Sequence, residues 1–198
     1  MRPGAARITP KVTTRDRILD AAIMRFSRNS YEETGLRDIA ADVGIDVAYV
    51  HRCFGSKHQL FAEAIRVTLE PERIFGRKPK DLASALAGQV FARDPVSSAD
   101  VGPLDIVNRS LTSPEAAEIL REFVLQDVIK PLAGELRAPA HRRATLIAAF
   151  LAGLCIFRNV LYIDDLREAG GKGFENTIAD VIRMMMDTSP GGAAPSIR

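Results

Sequence analysis

The apolar residues of this chain recur every three or four positions along most of its length, which is the spacing of one face of an α-helix. The stripes predict successive helices at residues 14–28, 36–43, 46–54, 57–69, 81–93, 104–111, 113–136, 140–164 and 174–187. No run alternates apolar with polar residues as a half-buried strand does. The sequence therefore predicts an all-α protein.

A pair of short helices between residues 34 and 54 is the most informative segment. Thr34 is placed to cap the first helix of the pair and Asp46 the second, through side-chain oxygens that accept backbone N–H groups. Gly44 lies between them, where a left-handed residue ends a helix. Such a pair is typical of a helix-turn-helix that enters the DNA major groove, and equally of an ordinary helical hairpin.

The second helix of this pair has two different faces. The apolar face points back at the first helix and consists of Val47, Val50 and Phe54. The opposite face is small, aromatic and basic, and consists of Ala48, Tyr49 and Arg52. An outward face of this kind favours contact with DNA bases.

Further motifs flank the pair: Ile18-Leu19-x-x-Ala22 with Phe26, Asp38-Ile39-Ala40, Val43-Gly44-Ile45, and Phe54-x-Ser56-Lys57 followed by Leu60-Phe61. With these motifs, the segment from Arg15 to Ile74 resembles the DNA-binding domain of the tetracycline-repressor (TetR) family. The resemblance implies an N-terminal three-helix DNA-binding domain with a helix-turn-helix and a C-terminal helical body that binds a ligand and dimerises. It also implies a transcriptional regulator, a repressor released from a palindromic double-stranded operator by a small-molecule effector.

The resemblance further implies which residues meet DNA. Those expected there are Thr34, Arg37, Val47, Ala48, Tyr49, His51, Arg52 and Lys57. Lys57 begins a helix capped by Ser56, where free backbone N–H groups already favour a phosphate.

Several positions depart from the family pattern. Asn29-Ser30 stands in place of the usual glycine after the first helix, Asp46 in place of serine, His51 in place of tyrosine and Cys53 in place of histidine or tyrosine. Each keeps the size or the capping ability of the usual residue. Asp46 and His51 lie near the expected phosphate path, so they bear on operator affinity and on its pH dependence.

The most apolar run, residues 146–157, contains twelve residues without a polar side chain, whereas a membrane span needs about twenty. A helix that is apolar all round must be covered on every side, by its own protomer and by a second copy, or else be a central helix wholly buried within one chain. We expect a homodimer built from residues 140–164 and 174–186, and no membrane partner. The expected interface residues are Ala148, Ala149, Ala152, Ile178, Ile182 and Met185.

An effector cavity is expected among the helices of the body, since pockets are mostly apolar with a few polar groups that fix orientation. The expected lining residues are Leu86, Leu104, Asn108, Phe123, Gln126, Phe157 and Arg158. The apolar members of this set are equally core residues.

The charge distribution agrees with a DNA partner at the N-terminal end. Residues 1–60 hold ten Lys and Arg against seven Asp and Glu, a net charge of +3, whereas the whole chain has +2. The segments are expected to divide as a flexible basic arm at 1–13, the helix-turn-helix domain at 14–56, the effector and dimerisation domain at 57–187 and a disordered tail at 188–198. The first residues do not form a signal peptide and two cysteines make no disulfide framework, so the cytoplasm is the expected compartment.

The sequence gives little support for a metal site or for enzyme activity. His51 and Cys53 are two residues apart on a helix and face different ways, so with His58 they do not form a metal site. A glycine-rich phosphate loop and a serine elbow are both missing from the sequence, so we expect no cofactor and no enzyme activity. Two alternatives to the effector-released repressor stay open: a constitutive DNA-binding protein without a ligand, and a helical interaction protein that has lost DNA binding.

Overall fold

The computed structural model describes residues 12–70, 80–91, 104–167 and 172–187, and every regular element among them is helical. The N-terminal helices are α1 (Thr14–Arg28), α2 (Leu36–Val43), α3 (Val47–Phe54) and α4 (Lys57–Leu69). The remaining helices are α5 (Leu82–Phe91), α6 (Asp105–Ser110), α7 (Pro114–Phe123), a π-helical segment (Val124–Ile129), α8 (Lys130–Gly134), α9 (Ala140–Asn159), α10 (Asp164–Arg167) and α11 (Lys172–Asp187). The all-α prediction is confirmed. The expected basic arm, apart from its last two residues, and the expected tail lie outside the described residues.

Local capping sets most helix starts where the sequence predicts them. The side chains of Asp46, Ser56 and Ser113 accept the backbone N–H groups of the first turns of α3, α4 and α7. The prediction for Thr34 is wrong. Its hydroxyl donates to the Ser30 carbonyl, at 3.1 Å, and Gly35 is the residue before α2.

The turn between α2 and α3 depends on Gly44, which has φ +74°. An L side chain is strained in this left-handed conformation, so glycine ends α2 and turns the chain into α3. Asn29, by contrast, has φ −121°, an extended conformation that any residue adopts. The loss of the usual glycine after α1 is therefore harmless to the backbone.

Two hydrophobic cores hold the helices together. The first joins the buried faces of α1 to α4 with one side of α6 and α7. The second joins α5, α8, α9 and α11. Helix α4 contributes Leu60, Phe61, Ala64 and Ile65 to the first core, so the expected domain boundary at residue 57 does not coincide with the division between the cores.

The helix predicted at residues 113–136 is continuous to Gly134 but changes its winding on the way. Residues Val124–Ile129 are π-helical, and Pro131 follows directly after Lys130. Proline has no N–H to donate to the Asp127 carbonyl four residues earlier, so the regular α-helical ladder is already broken at this point. The π-helical segment also packs against both cores, through Val124.

Helix α9 contains the apolar run and is little covered by its own chain. Leu146 is 55% exposed and Phe157 52% exposed, and Ala149 and Ala152 are exposed as well. The alternative of a central helix wholly buried within one chain is therefore wrong. By length and composition alone, α9 is also the one described helix that is long and apolar enough to cross a membrane.

Candidate DNA-binding surface

Helix α3 presents an outward surface, called here the reading face, which consists of Ala48, Tyr49, His51 and Arg52. Ala48, His51 and Arg52 are exposed and Tyr49 is half-buried. The opposite side of α3 is anchored by Val50 and Phe54 in the first core. The reading face is thus displayed by a rigidly packed helix.

Two contacts order the polar groups of the reading face. The Arg52 guanidinium lies over the Tyr49 ring, 4.7 Å from its centroid, in a cation–π contact. The Nδ1 atom of His51 lies 2.9 Å from the Gly55 carbonyl oxygen. Because a carbonyl can only accept, Nδ1 carries the proton, which leaves Nε2 as the atom that meets a ligand.

Two of the residues expected at DNA are less available than predicted. Thr34 is 1% exposed, so its hydroxyl does not reach a phosphate. Val47 is half-buried and packs against the first core. Arg37, by contrast, is exposed in the first turn of α2.

The position of α2 relative to α1 depends on two arginines whose roles the sequence analysis missed. Arg25 binds Asp42 through two nitrogens, with Nε 2.5 Å from Oδ2 and Nη2 2.8 Å from Oδ1. This pair lowers the pKa of Asp42. Arg17 donates to the Val43 carbonyl, at 2.9 Å, and so satisfies an acceptor at the C-terminus of α2. Opposite charges on two helices are a sequence signal for the Arg25–Asp42 pair alone, because Arg17 binds a backbone carbonyl.

Arg15 contacts residues of two other helices. Its guanidinium lies 2.6 Å from the Glu63 carboxylate and 4.5 Å from the centroid of the Phe54 ring. Arg15 therefore ties α1 to α3 and α4.

Lys57 lies at the start of α4, as predicted, but its ammonium does not extend into open solvent. The side chain is half-buried, and Nζ lies 4.1 Å from the centroid of the Tyr31 ring. Burial lowers the pKa of Lys57, and the carboxylates of Glu115 and Glu32 oppose that shift.

The family models agree with this geometry. Residues 18–64 match the model described as bacterial regulatory proteins of the tetR family, and residues 80–186 match that of the tetracyclin repressor-like C-terminal domain. The second match alone covers more than half of the chain. The chain belongs to the TetR family. It is a DNA-binding transcriptional regulator, and members of its family are soluble, bind operator DNA and dimerise.

Solved TetR-fold structures cover most of this chain. GusR of Salmonella enterica is 20% identical, with a TM-score of 0.67, and covers 92% of this chain and 100% of its own. A TetR-family regulator of Streptomyces coelicolor A3 is 21% identical, with a TM-score of 0.61 and 93% and 100% coverage. The multidrug binding protein EbrR complexed with ethidium is 20% identical, with a TM-score of 0.59 and 89% and 100% coverage. At these identities the likeness shows the fold.

One curated relative comes from a different class. Ribonuclease 3 of Marinomonas sp. (strain MWYL1) is 31% identical over 126 residues, which are 63% of this chain and 48% of that protein. The chain thus spans about half the length of the curated relative that it matches. Among the described residues of this TetR-family chain, no group of three or more His, Cys, Asp or Glu is arranged to hold a metal ion.

The structure places the expected pocket residues in several environments. Leu86 lies in the second core and Phe123 in the first, while Leu104 and Asn108 are half-buried. Arg158 is buried, with its guanidinium 5.2 Å from the centroid of the Phe91 ring.

Two of these predictions need correction. Phe157 and Gln126 are exposed on the outside of the chain, so they do not line a cavity within it. The apolar run and the helical period do not show which way a side chain faces, and the π-helical segment around Gln126 changes that period.

The residues expected at the dimer interface also lie in different environments. Ala149 and Ala152 are exposed, Ala148 and Met185 are half-buried, and Ile178 and Ile182 are buried in the second core. The prediction for Ile178 and Ile182 is therefore wrong, because these side chains pack against their own chain. The exposed apolar residue of α11 is Met184.

Proposed function

We propose that this TetR-family chain is a homodimeric repressor that reads a palindromic operator with α3 and is released by a small apolar effector bound in its C-terminal body. The observation that carries the DNA half is the reading face. It combines an arginine oriented on an aromatic ring with an exposed histidine whose Nδ1 atom is bound to the Gly55 carbonyl. Arginine binds the O6 and N7 atoms of guanine with two hydrogen bonds, so an oriented guanidinium fits base readout.

A second copy of the chain is the proposed cover for the exposed side of α9. Leu146, Ala149 and Phe157 recur there at helical spacing, and small residues let a partner helix approach closely. The same cover accounts for the apolar character of α9 without a membrane. A dimer also places two copies of α3 on one face of the duplex, where successive major grooves lie about 34–36 Å apart. This proposal places the protein in the cytoplasm.

The release mechanism needs a physical connection between the body and the DNA-binding helices, and α7 with its π-helical continuation supplies one. At the start of α7, Glu115 accepts a hydrogen bond from the Tyr31 hydroxyl, at 2.9 Å. In the π-helical segment, Asp127 lies 2.8 Å from Arg66 of α4. A ligand that displaces this helix relative to the second core therefore moves both of its contacts with the N-terminal part of the chain, the one with Tyr31 and the one with Arg66.

An effector is proposed on two grounds: the complex of EbrR with ethidium, and the helical body that this chain shares with it. Linkage requires that operator DNA weaken effector binding by the same factor by which the effector weakens operator binding. A thermal-shift screen of apolar cationic and neutral compounds supplies the probe. Titrating a hit with and without a palindromic fragment from the promoter beside its own gene then tests release. Equal affinities in the two titrations exclude that compound as the inducer.

The rival functions give different outcomes in the same assays. A constitutive DNA-binding protein shifts the fragment in a salt-dependent manner but responds to no compound. An interaction protein without DNA binding does not shift it. A ribonuclease, the class named for the curated relative, degrades RNA, and the proposed regulator leaves RNA intact.

We expect Lys57→Ala to weaken binding to all DNA sequences by a similar factor and to flatten the slope of log K against log salt by about one unit, because each phosphate contact releases close to one counterion. Mobility shifts at several salt concentrations measure both quantities. Lys130→Ala is the control, since this exposed lysine lies on α8. A loss confined to one base substitution contradicts a phosphate role.

A further inference from the structure

The side chain of Lys57 is held by residues outside the helix that carries it. Its ammonium lies over Tyr31, which is buried in the first core, stacks against Phe26 and meets Phe61 edge to face. The Tyr31 hydroxyl donates to Glu115 Oε1, at 2.9 Å. The neighbouring Glu32 carboxylate accepts from the Ser113 hydroxyl. Tyr31 and Glu32 thus meet the start of α7 at the place where Lys57 is held.

Electrostatics explain why the ammonium turns toward this site. The N-terminus of a helix carries partial positive charge, and the first turn of α4 contains no acidic residue to balance it. The ring face of Tyr31 carries partial negative charge, and Glu115 and Glu32 add two carboxylates within interaction range. Burial, together with hydrogen bonding to Glu115, raises the pKa of Tyr31, so the hydroxyl stays protonated and the contact stays intact.

A DNA phosphate and this acidic, aromatic site require the same ammonium. The cation cannot stay on the Tyr31 face at 4.1 Å and also move out to a phosphate oxygen. We propose that Tyr31 and Glu115 are positioning residues that hold the Lys57 ammonium in the free protein and compete with operator phosphate for it. This inference rests on the proposed phosphate role of Lys57.

The competition makes operator affinity depend on the position of α7. Glu115 lies in the first turn of α7, and the helix continues through the π-helical segment to Gly134 of α8, beside the second core. A movement that brings Glu115 closer to Lys57 withdraws the ammonium from DNA. A movement that takes Glu115 away releases it.

The test is Glu115→Gln, which keeps the shape and still accepts the Tyr31 hydrogen bond but removes the charge that holds Lys57. We expect operator affinity at low salt to rise by about twofold to fivefold, the range of a partly exposed ion pair. Glu118→Gln is the matched control, because it removes the same charge from α7 one turn later, where Glu118 pairs with Arg121. The control should show a smaller rise, and the rise for Glu115→Gln should vanish in a Lys57→Gln background.

These variants separate failure of the inference from failure of the phosphate role. If Lys57→Gln leaves operator affinity and salt slope unchanged, the phosphate role is wrong and the inference falls with it. If Lys57→Gln weakens binding but Glu115→Gln matches Glu118→Gln, lowers affinity, or raises it equally in both Lys57 backgrounds, the inference alone is overturned.

Chemical labelling gives a readout that a merely structural role does not change. In the absence of DNA, acetic anhydride should modify Lys57 faster in Glu115→Gln than in the unaltered protein, as measured by mass spectrometry of peptides. The exposed Lys130 serves as the internal reference and should be modified at the same rate in both. An unchanged ratio of Lys57 to Lys130 labelling overturns the proposal.

Discussion

Leu146→Glu should convert a dimer of twice 21.6 kDa into monomers that keep their fold. Leu146 is 55% exposed in the single chain, so glutamate there costs the isolated protomer little. In the proposed dimer the same carboxylate lies against an apolar partner helix and loses water without gaining a partner, which is costly. A symmetric interface also contains the substitution twice.

The effect on DNA binding should be larger than the effect of removing any single contact. A dimer binds two half-sites together, and the loss of the second site lowers overall affinity by about 10²–10⁴-fold. Sedimentation at micromolar concentration and a mobility shift on the full palindrome measure the two consequences. Circular dichroism should show the same helix content as the unaltered protein.

Leu111→Glu is the matched control for this substitution. Leu111 is 59% exposed, close to the value for Leu146, but it follows α6 and lies away from α9. The control should stay dimeric and bind the palindrome normally. A Leu146→Glu protein that also stays dimeric, or an unaltered protein that sediments as a monomer while binding the palindrome, places the interface elsewhere.

The parts of the fold that the sequence predicts well are those decided within a few residues. The bounds of α1 and the caps Asp46, Ser56 and Ser113 depend on side chains that bond to the next turn, so the local pattern contains the necessary information. Thr34 shows the limit of this method. Its residue type and position suit a cap for α2, but its hydroxyl donates to the Ser30 carbonyl four residues earlier, and Gly35 precedes the helix.

The orientation of the body helices could not be obtained in the same way. An amphipathic stripe shows that one face of α11 is buried, but it does not show whether the cover is its own chain or a partner. The stripe therefore predicts Ile178 and Ile182 at the dimer interface, although they lie in the second core. Helix α9 is apolar on all sides, so its sequence gives no orientation at all.

The candidate DNA surface divides along the same line. The helical period of α3 predicts that Ala48 and Arg52 face outward, and both side chains are exposed in the structure. The contacts of Lys57 with Tyr31, and the influence of Glu115 on it, join residues of three separate segments, and no local pattern contains them. The error in the predicted pocket has a similar cause, because the π-helical segment shifts the face of the helix on which later residues lie.

Arg52→Ala should weaken operator binding by about 1–3 kcal/mol and relax specificity at one base position. The guanidinium is exposed on α3 and already oriented by the Tyr49 ring. It therefore loses little further rotational freedom when it bonds a guanine edge. Removing it leaves the base acceptors unbonded in the interface, which adds to the loss. Tyr49→Phe keeps the ring and should retain most of the affinity.

The measurement compares the unaltered protein and Arg52→Ala on a set of operators that each carry one base substitution. The unaltered protein should discriminate at a position where the variant accepts every base. Arg121→Ala is the control for charge alone, since Arg121 is exposed on α7, pairs with Glu118 at 3.0 Å and lies off the reading face. If Arg52→Ala and Arg121→Ala reduce binding equally at all positions, Arg52 acts only through the overall electrostatic field of the protein. Base readout must then be assigned to other side chains of α3.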